Sequence, residues 1–293
     1  MDSDCDSDFY GDEQTTAALH ERVTSFDPLT YLSRQHPLLS KLHPNQPPTN
    51  LDIANLPNPY ADHPGAWQFT EPISAFLARL PAATTDYTPG LDWLWVANPY
   101  HSWDPSSHQP QLLSRFIKAG RERLALFDDF RETASKTTAA SRAKLDRDIA
   151  KARRETVSDL TDLAVACNVL AGKWMLFPMP GEVNEVWGKV ARATAAGTLG
   201  MAAKVDTRTE RGKERLICVY TKDFRDKEDV ARVLGRLREL GLVQPDVGRQ
   251  IYYKTDAWTE LGIYSNNRWG VAASLHSSNE IFGFMRKTAP VRR

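Results

Sequence analysis

The order of short apolar runs and amphipathic segments from residue 172 onward constrains the fold most strongly. Runs that are typical of strands occur at 173–177, 199–205, 215–221 and 251–255. Two helical stripes lie between them, at 182–196 and 226–241, and a further strand is expected from Trp269 onward. Because strands joined by a short turn pair antiparallel, this order predicts an α+β fold, a curved antiparallel sheet backed by helices.

The first 60 residues differ in composition from the rest of the chain. Residues 1–13 carry six acidic side chains and no basic one, and eight prolines follow between residues 26 and 64. Since proline fixes φ and lacks an N–H group, the Pro-rich stretch cannot hold a long helix. We therefore expect an acidic, Pro-rich and largely irregular extension over residues 1–60, and one α+β domain over residues 61–293.

An aromatic strand is predicted near the start of this domain, at 91–97 (LDWLWVA). Trp93 and Trp95 are two positions apart and so share one face of the strand. Core packing is the expectation for both, as it is for Trp174 within a later strand and Trp187 on an apolar helix stripe.

A long basic helical segment is predicted at about 111–170. Residues 131–154 hold eight bases and three acids. At helical spacing, Lys144, Arg147, Lys151 and Arg154 share one side. We interpret this side as a solvated face, which could also make salt-sensitive contacts to acidic partners.

Several classes of protein are excluded or disfavoured by the sequence. No apolar stretch is long enough to span a bilayer, and three scattered cysteines make neither a disulfide framework nor a zinc cluster. There is no phosphate loop, dinucleotide fingerprint, zinc-protease pair or nucleophile elbow. The sequence predicts a cytoplasmic or nuclear protein that is not an enzyme, with no catalytic residue, cofactor, metal site or membrane association.

Aromatic and basic residues are the candidate binding residues. Trp103 lies in a polar loop, where it either covers the edge of the core or offers a stacking platform. Lys204 interrupts an apolar strand, so it lies either on a solvated face or in a ligand cavity. Tyr252 and Lys254 share one strand face by alternation, a combination that nucleotide-binding surfaces use.

The order of elements resembles the cap-binding fold of translation initiation factor 4E. The run GKWMLF is followed by a helix carrying EVWGKV, the strands GTLGMAAKV and LICVYT, another helix, and IYYKTDAW. In detail, the phrases KVARATAAGTLGMAAKV, YTKDF and IYYKTDAWTELGIYS are similar to the basophilic-leukaemia-expressed protein family, an uncharacterised family that is also 4E-like. The resemblance covers about residues 90–275.

The resemblance implies roles for particular residues on the concave face of the sheet. Trp103 matches the position of the first cap-stacking tryptophan, which stacks on a methylated, cationic base. Lys204 and the basic cluster ending at Arg215 match phosphate-binding residues, with Lys254 as a helper. The second Trp–Glu pair of that family would fall within 163–171, which holds neither residue, so Trp269 is the candidate for the second ring.

Two functions remain open from the sequence. The first is a non-catalytic protein that binds RNA or a nucleotide through Trp103, Lys204, Arg215, Tyr252, Lys254 and Trp269. The second is an adaptor that has lost the ligand and binds protein partners. The first hypothesis requires the aromatic and cationic side chains to face one open surface.

Overall fold

The structure is a computed structural model that describes residues 53–103, 109–136, 142–245 and 248–288, all within one compact unit. After a single 3-10 turn, Ile53–Asn55, the elements are α1 Ile73–Arg79, β1 Trp93–Ala97, α2 Pro110–Lys136, α3 Arg142–Ala166, β2 Gly172–Leu176, α4 Val183–Ala195, β3 Ala202–Asp206, β4 Ile217–Thr221, α5 Lys227–Glu239, β5 Tyr252–Thr255, α6 Asp256–Glu260, β6 His276–Ser277 and α7 Ser278–Thr288. The predicted N-terminal extension falls almost wholly on residues outside these ranges.

The six strands form one sheet in the order β1–β3–β4–β2–β5–β6, with β1 and β6 at the edges. Every pair of neighbouring strands is antiparallel. The predicted α+β class, an antiparallel sheet with helices, is therefore confirmed.

One face of the sheet packs against the helices and forms the main core. Alternate strand residues such as Leu94, Val219 and Trp174 are buried there together with residues from all seven described helices. Trp174 also donates its indole N–H to the Val230 carbonyl of α5 at 3.0 Å. The predicted structural roles of Trp174 and Trp187 are confirmed, since neither is more than 1% exposed.

The opposite face of the sheet carries a smaller cluster, to which no described helix contributes. Its buried members are Ala202, Cys218 and Tyr220, and the residues packed against them are Tyr60, Trp95, Trp103, Met175, Met201 and Leu216. Trp93 and Trp95 lie half-buried on this second face, where their partners across the strands are Asp206 and Lys204. The prediction that both pack in the main core was wrong.

The ends of the two C-terminal core helices follow from local sequence. The Asp226 carboxylate accepts the backbone N–H of Asp229 at 2.9 Å and caps the start of α5. Gly241, at φ 72°, follows the end of α5, and Gly197, at φ 71°, follows α4. Glycine occupies this left-handed conformation without steric cost, so both helices end where the sequence predicts.

The predicted helical segment at 111–170 consists of two helices, α2 and α3, which pack against each other, and residues 137–141 between them lie outside the described ranges. The strand predicted from Trp269 onward was wrong, since the last strand is only His276–Ser277. Before it, the Asn267 amide donates to the carbonyls of Tyr264 and Val271 and holds a turn instead.

None of the helices in the described part of the chain has the length and apolar character that crossing a bilayer requires.

Candidate functional site

The second face of the sheet carries two parallel rows of side chains that cross the strands. Register places Trp95, Lys204, Cys218, Met175 and Tyr252 opposite one another in the first row. In the second row it places Ala97, Ala202, Tyr220, Lys173 and Lys254. Three lysines and several aromatic rings therefore share one surface, which we call the lysine face.

Lys204 lies among three aromatic rings. Its ammonium is 3.9 Å from the centre of the Trp93 ring, 4.6 Å from Trp95 and 5.7 Å from Tyr220. Each distance is within the range of a cation–π contact. Lys204 makes no hydrogen bond or ion pair with a described residue. Burial lowers its pKa, because the charged form loses hydration.

Lys173 and Lys254 form a cross-strand pair of like charges at the β5 end of the second row. The Lys173 ammonium is paired with the Asp256 carboxylate and donates to the Thr259 hydroxyl at 3.0 Å. It also lies 5.6 Å from the centre of the Tyr220 ring. Asp256 thus neutralises one of the two charges, while its position at the first residue of α6 keeps it beside both strands.

Lys254 has no acidic partner among the described residues. Its ammonium lies 3.9 Å from the centre of the Tyr264 ring, and the residue is only 4% exposed, whereas Tyr264 is 56% exposed. Burial, reinforced by the positive charge of Lys173, lowers the pKa of Lys254 from 10.5 to about 8. Access to this ammonium depends on the position of the Tyr264 ring.

Trp103 and Tyr60 extend the aromatic surface beside Lys204. The Trp103 indole donates to the Asn98 carbonyl at 3.0 Å, and its ring contacts Tyr60 edge-on with centroids 6.4 Å apart. Tyr60 in turn lies 4.6 Å from Trp95. Trp103 is therefore oriented by its own loop and half-buried against the lysine face.

Tyr252 lies at the exposed margin of the same face, 40% exposed. It pairs with Met175 of β2, and Phe177, two residues beyond Met175, is also exposed. The Arg249 guanidinium lies 5.3 Å from the centre of the Phe177 ring and pairs with Glu214. This margin offers ring faces to solvent.

The structure does not bring Arg215 to the lysine face as a free cation. Arg215 is 4% exposed; its guanidinium donates to the Asp206 carboxylate at 2.9 Å and to the Ala82 carbonyl at 2.7 Å. It also donates to the Asp206 carbonyl. In the same basic turn, Arg208 is paired with Asp86. These side chains tie the start of β4 to neighbouring segments.

Trp269 also lies away from the other candidate residues. Its indole donates to the Asp128 carboxylate of α2 at 2.9 Å, and Arg153 of α3 donates to its carbonyl. It packs against the main core, with the helix layer. The structure thus brings together Trp103, Lys204, Lys254 and Tyr252, but neither Arg215 nor Trp269.

Sequence reasoning missed Lys173, Tyr220, Tyr60 and Asp256. Lys173 could have been found, because it lies in a strand that is otherwise apolar, as Lys204 does. Tyr220 and Asp256 become evident only from strand register, and Tyr60 lies in a Pro-rich stretch with no periodicity. Pairing across strands, which local sequence does not encode, builds this part of the site.

A comparison with protein families gives a match over most of the chain. The sequence model of the family described as basophilic leukemia-expressed protein Bles03 matches residues 19–262. The match spans most of the chain and includes every lysine-face residue named above except Tyr264.

Proposed function

We propose that the chain, which belongs to the basophilic leukemia-expressed protein Bles03 family, is a non-catalytic protein that binds RNA or a nucleotide on its lysine face. The observation that carries the proposal is the presence of two lysines, Lys204 and Lys254, on one aromatic surface without a carboxylate partner among the described residues.

The charge balance of the face favours an anionic ligand. Lys173, Lys204 and Lys254 are set against Asp256, which is already paired with Lys173. Bringing an ammonium out of water costs free energy unless an anion or a hydrogen-bond acceptor compensates it. The depressed pKa values of Lys204 and Lys254 express that cost. A phosphate group would restore the missing acceptor.

The aromatic side chains favour a ligand that also carries a base. Trp103 is half-buried with its indole N–H already engaged, so only the ring remains for a contact. Tyr252 and Tyr264 expose ring surface at the margin. Stacking of a base on an aromatic ring contributes roughly 1–3 kcal/mol. We assign stacking to Trp103 and a wall contact to Tyr252.

The separation of the two lysines favours RNA over a single nucleotide. Lys204 on β3 and Lys254 on β5 are three strand spacings apart, about 14 Å across the sheet. Their ammonium groups lie against different rings, Trp93 and Tyr264. A ligand with two separated phosphates would place one at each lysine, and a short RNA carries such phosphates. The resemblance of the sequence to translation initiation factor 4E supports a nucleotide ligand as well.

A titration of intrinsic tryptophan fluorescence tests the proposal. The full chain is titrated at low salt with GTP, ATP, a cap analogue and short single-stranded RNA, and compared with Lys204→Met and with Lys118→Met, whose exposed lysine lies on α2. We expect saturable quenching that weakens in Lys204→Met and is unchanged in Lys118→Met. Absence of saturable quenching by any ligand at millimolar concentration would overturn it.

A protein-interaction adaptor is the second candidate function. Its specific support is an exposed apolar pair one helical turn apart on α2, Leu126 at 63% and Phe130 at 41% exposure. These two are the exposed large apolar side chains of α2 that a protein partner would contact. If the nucleotide titrations show no binding, a pull-down that compares the parent chain with the double variant Leu126→Glu, Phe130→Glu tests the adaptor. A protein that binds the parent but not the double variant would support this function instead.

A further inference from the structure

Exposed apolar side chains extend the lysine face at the edge where β2 ends and β5 begins. Tyr252 is the first residue of β5 and lies opposite Met175 of β2. Phe177 follows the end of β2 and is 38% exposed, and Met179 is 51% exposed. We call Phe177, Met179 and Tyr252 the edge patch. Because more than a third of Phe177 is exposed, a ligand can reach its ring without displacing another side chain.

Strand alternation places Phe177 on the same side of the sheet as the lysine face. Met175 packs in the lysine-face cluster, whereas Leu176 is buried in the main core on the opposite side. The carbonyl of Pro178 accepts the backbone N–H of Arg215 at 3.0 Å, so the chain still runs beside β4 after β2 ends. Since successive side chains of an extended chain point to opposite faces, Phe177 projects to the side of Met175.

The Arg249 guanidinium adds a cation to the edge patch. It lies 5.3 Å from the centre of the Phe177 ring and pairs with the Glu214 carboxylate at 2.6 Å. The Arg249 side chain is 65% exposed, and an exposed ion pair of this kind contributes little to stability. Arg249 can therefore exchange Glu214 for the phosphate of a ligand that stacks on Phe177.

One row of the lysine face joins the edge patch to the first stacking site. Trp95, which packs in one cluster with Trp103, lies at the β1 end of this row, and Tyr252 lies at its β5 end. The two ends are four strand spacings apart, about 19 Å across the sheet. At a rise of about 3.4 Å per nucleotide, a strand of about six nucleotides covers this distance.

Each end of the row combines aromatic rings with a cation. Lys204 lies 4.6 Å from the Trp95 ring at one end, and Arg249 lies against Phe177 at the other. Single-stranded RNA carries a stackable base and a phosphate in every nucleotide, so it matches a surface on which this combination is repeated. An apolar protein surface would leave the cation at each end without a partner.

We propose that the edge patch is a second stacking subsite for single-stranded RNA, which crosses the sheet from Trp103 to Phe177. One base stacks on the Phe177 ring beside Tyr252, and Arg249 contacts an adjacent phosphate. This subsite rests on the proposed function, because the same strand occupies Lys204 and Trp103.

Fluorescence anisotropy of labelled hexauridylate and diuridylate, each titrated with the full chain, tests the subsite. Hexauridylate can span both stacking sites, whereas diuridylate cannot. Phe177→Ala should weaken hexauridylate binding roughly five- to 150-fold, the loss expected for one stacked base, and should leave diuridylate binding nearly unchanged. The matched control is Phe130→Ala, which removes a similarly exposed ring from α2 in the helix layer and should bind both RNAs as the parent does.

The salt dependence of binding separates a phosphate contact from a loss of apolar surface. Arg249→Met should lower the slope of log Kd against log salt for hexauridylate by about one, whereas Phe177→Ala should keep the slope of the parent. Both residues are exposed, so the variants should retain the melting temperature of the parent.

The outcomes also separate this subsite from the proposed function. Hexauridylate binding that weakens in Lys204→Met but not in Phe177→Ala would overturn the subsite and leave the proposed function in place. Equal weakening of both RNA lengths by Phe177→Ala, or equal weakening by Phe130→Ala, would also overturn the subsite. A parent chain that binds neither RNA would overturn both proposals.

Discussion

Lys173 and Lys254 lie directly opposite each other on β2 and β5, but only Lys173 is paired with a carboxylate, that of Asp256. Two like charges in directly opposed positions destabilise a sheet. The pair is retained here because Asp256 neutralises one ammonium and the Tyr264 ring covers the other. The arrangement gives the lysine face a surplus of positive charge.

The pH dependence of stability should report the buried charge of Lys254. Its pKa is about 8 in the folded chain against an ordinary value of 10.5. Between these values the unfolded chain holds a proton that the folded chain has lost. Raising the pH through this window should therefore stabilise the fold, by up to about 1.4 kcal/mol per pH unit.

Chemical denaturation of the parent and of Lys254→Met, from pH 7 to 10, measures this effect. The free energy of unfolding of the parent minus that of Lys254→Met should become more positive as the pH rises from about 8. The comparison cancels the tyrosines, whose pKa values are raised by burial in both proteins. A gap that stays constant across the window would show that Lys254 titrates normally.

Removing the carboxylate of Asp256 should destabilise the fold and increase the excess of positive charge on the lysine face. Asp256→Asn leaves Lys173, 6% exposed, without its partner, at a cost of about 3 kcal/mol. It should also lower the pKa of Lys254 further, because the Asp256 charge now raises it. The control is Glu185→Gln in the exposed pair with Lys189, which should leave the melting temperature nearly unchanged. Equal melting temperatures for the two variants would contradict this assignment.

The sequence predicted much of the sheet but less of the site, for a physical reason. Element type depends on local periodicity, so β2, α4, β4 and α5 lie within a few residues of their predicted positions. The face on which a side chain lies depends on register, which joins residues distant in the chain. Trp93 and Trp95 were therefore placed in the core, although they contact Lys204.

Arg215 shows that local sequence also fails to reveal the partner of a charged residue. Its position in a basic turn resembles a phosphate site in sequence, but Asp206, nine residues earlier, already binds its guanidinium. Trp269 likewise has the right residue type for a second stacking ring, yet Asp128 of α2 holds it in the helix layer. Residue type alone cannot reveal that a side chain is already engaged by a distant partner.

Arg215→Met should affect stability without affecting nucleotide binding. The variant removes the guanidinium donor from the Ala82 carbonyl and from the Asp206 carboxylate, which keeps only the backbone N–H of Leu216, and breaking such an ion pair at a buried arginine costs about 3 kcal/mol. Thermal unfolding should show the loss, while fluorescence titration of the folded fraction should give the Kd of the parent. A weaker Kd with an unchanged melting temperature would return Arg215 to the binding site.

The last prediction separates Trp103 and Trp269, the two tryptophans that the sequence proposes as stacking rings. Trp103→Ala should weaken RNA binding by roughly 1–3 kcal/mol, because it removes a ring that packs beside Tyr60 in the aromatic cluster of the lysine face. Trp269→Ala should leave the affinity unchanged, since its ring lies with the helices and its indole is bonded to Asp128.

Both variants remove a half-buried indole, so each serves as the control for the general effect of losing one. Anisotropy of a labelled short RNA avoids the loss of signal that follows when a fluorescent tryptophan is removed. Salt dependence adds a second readout, since Trp103→Ala should keep the slope of log Kd against log salt, whereas Lys204→Met should lower it by roughly the contribution of one phosphate contact. Equal effects of the two tryptophan variants would mean that stacking on the lysine face does not contribute to binding.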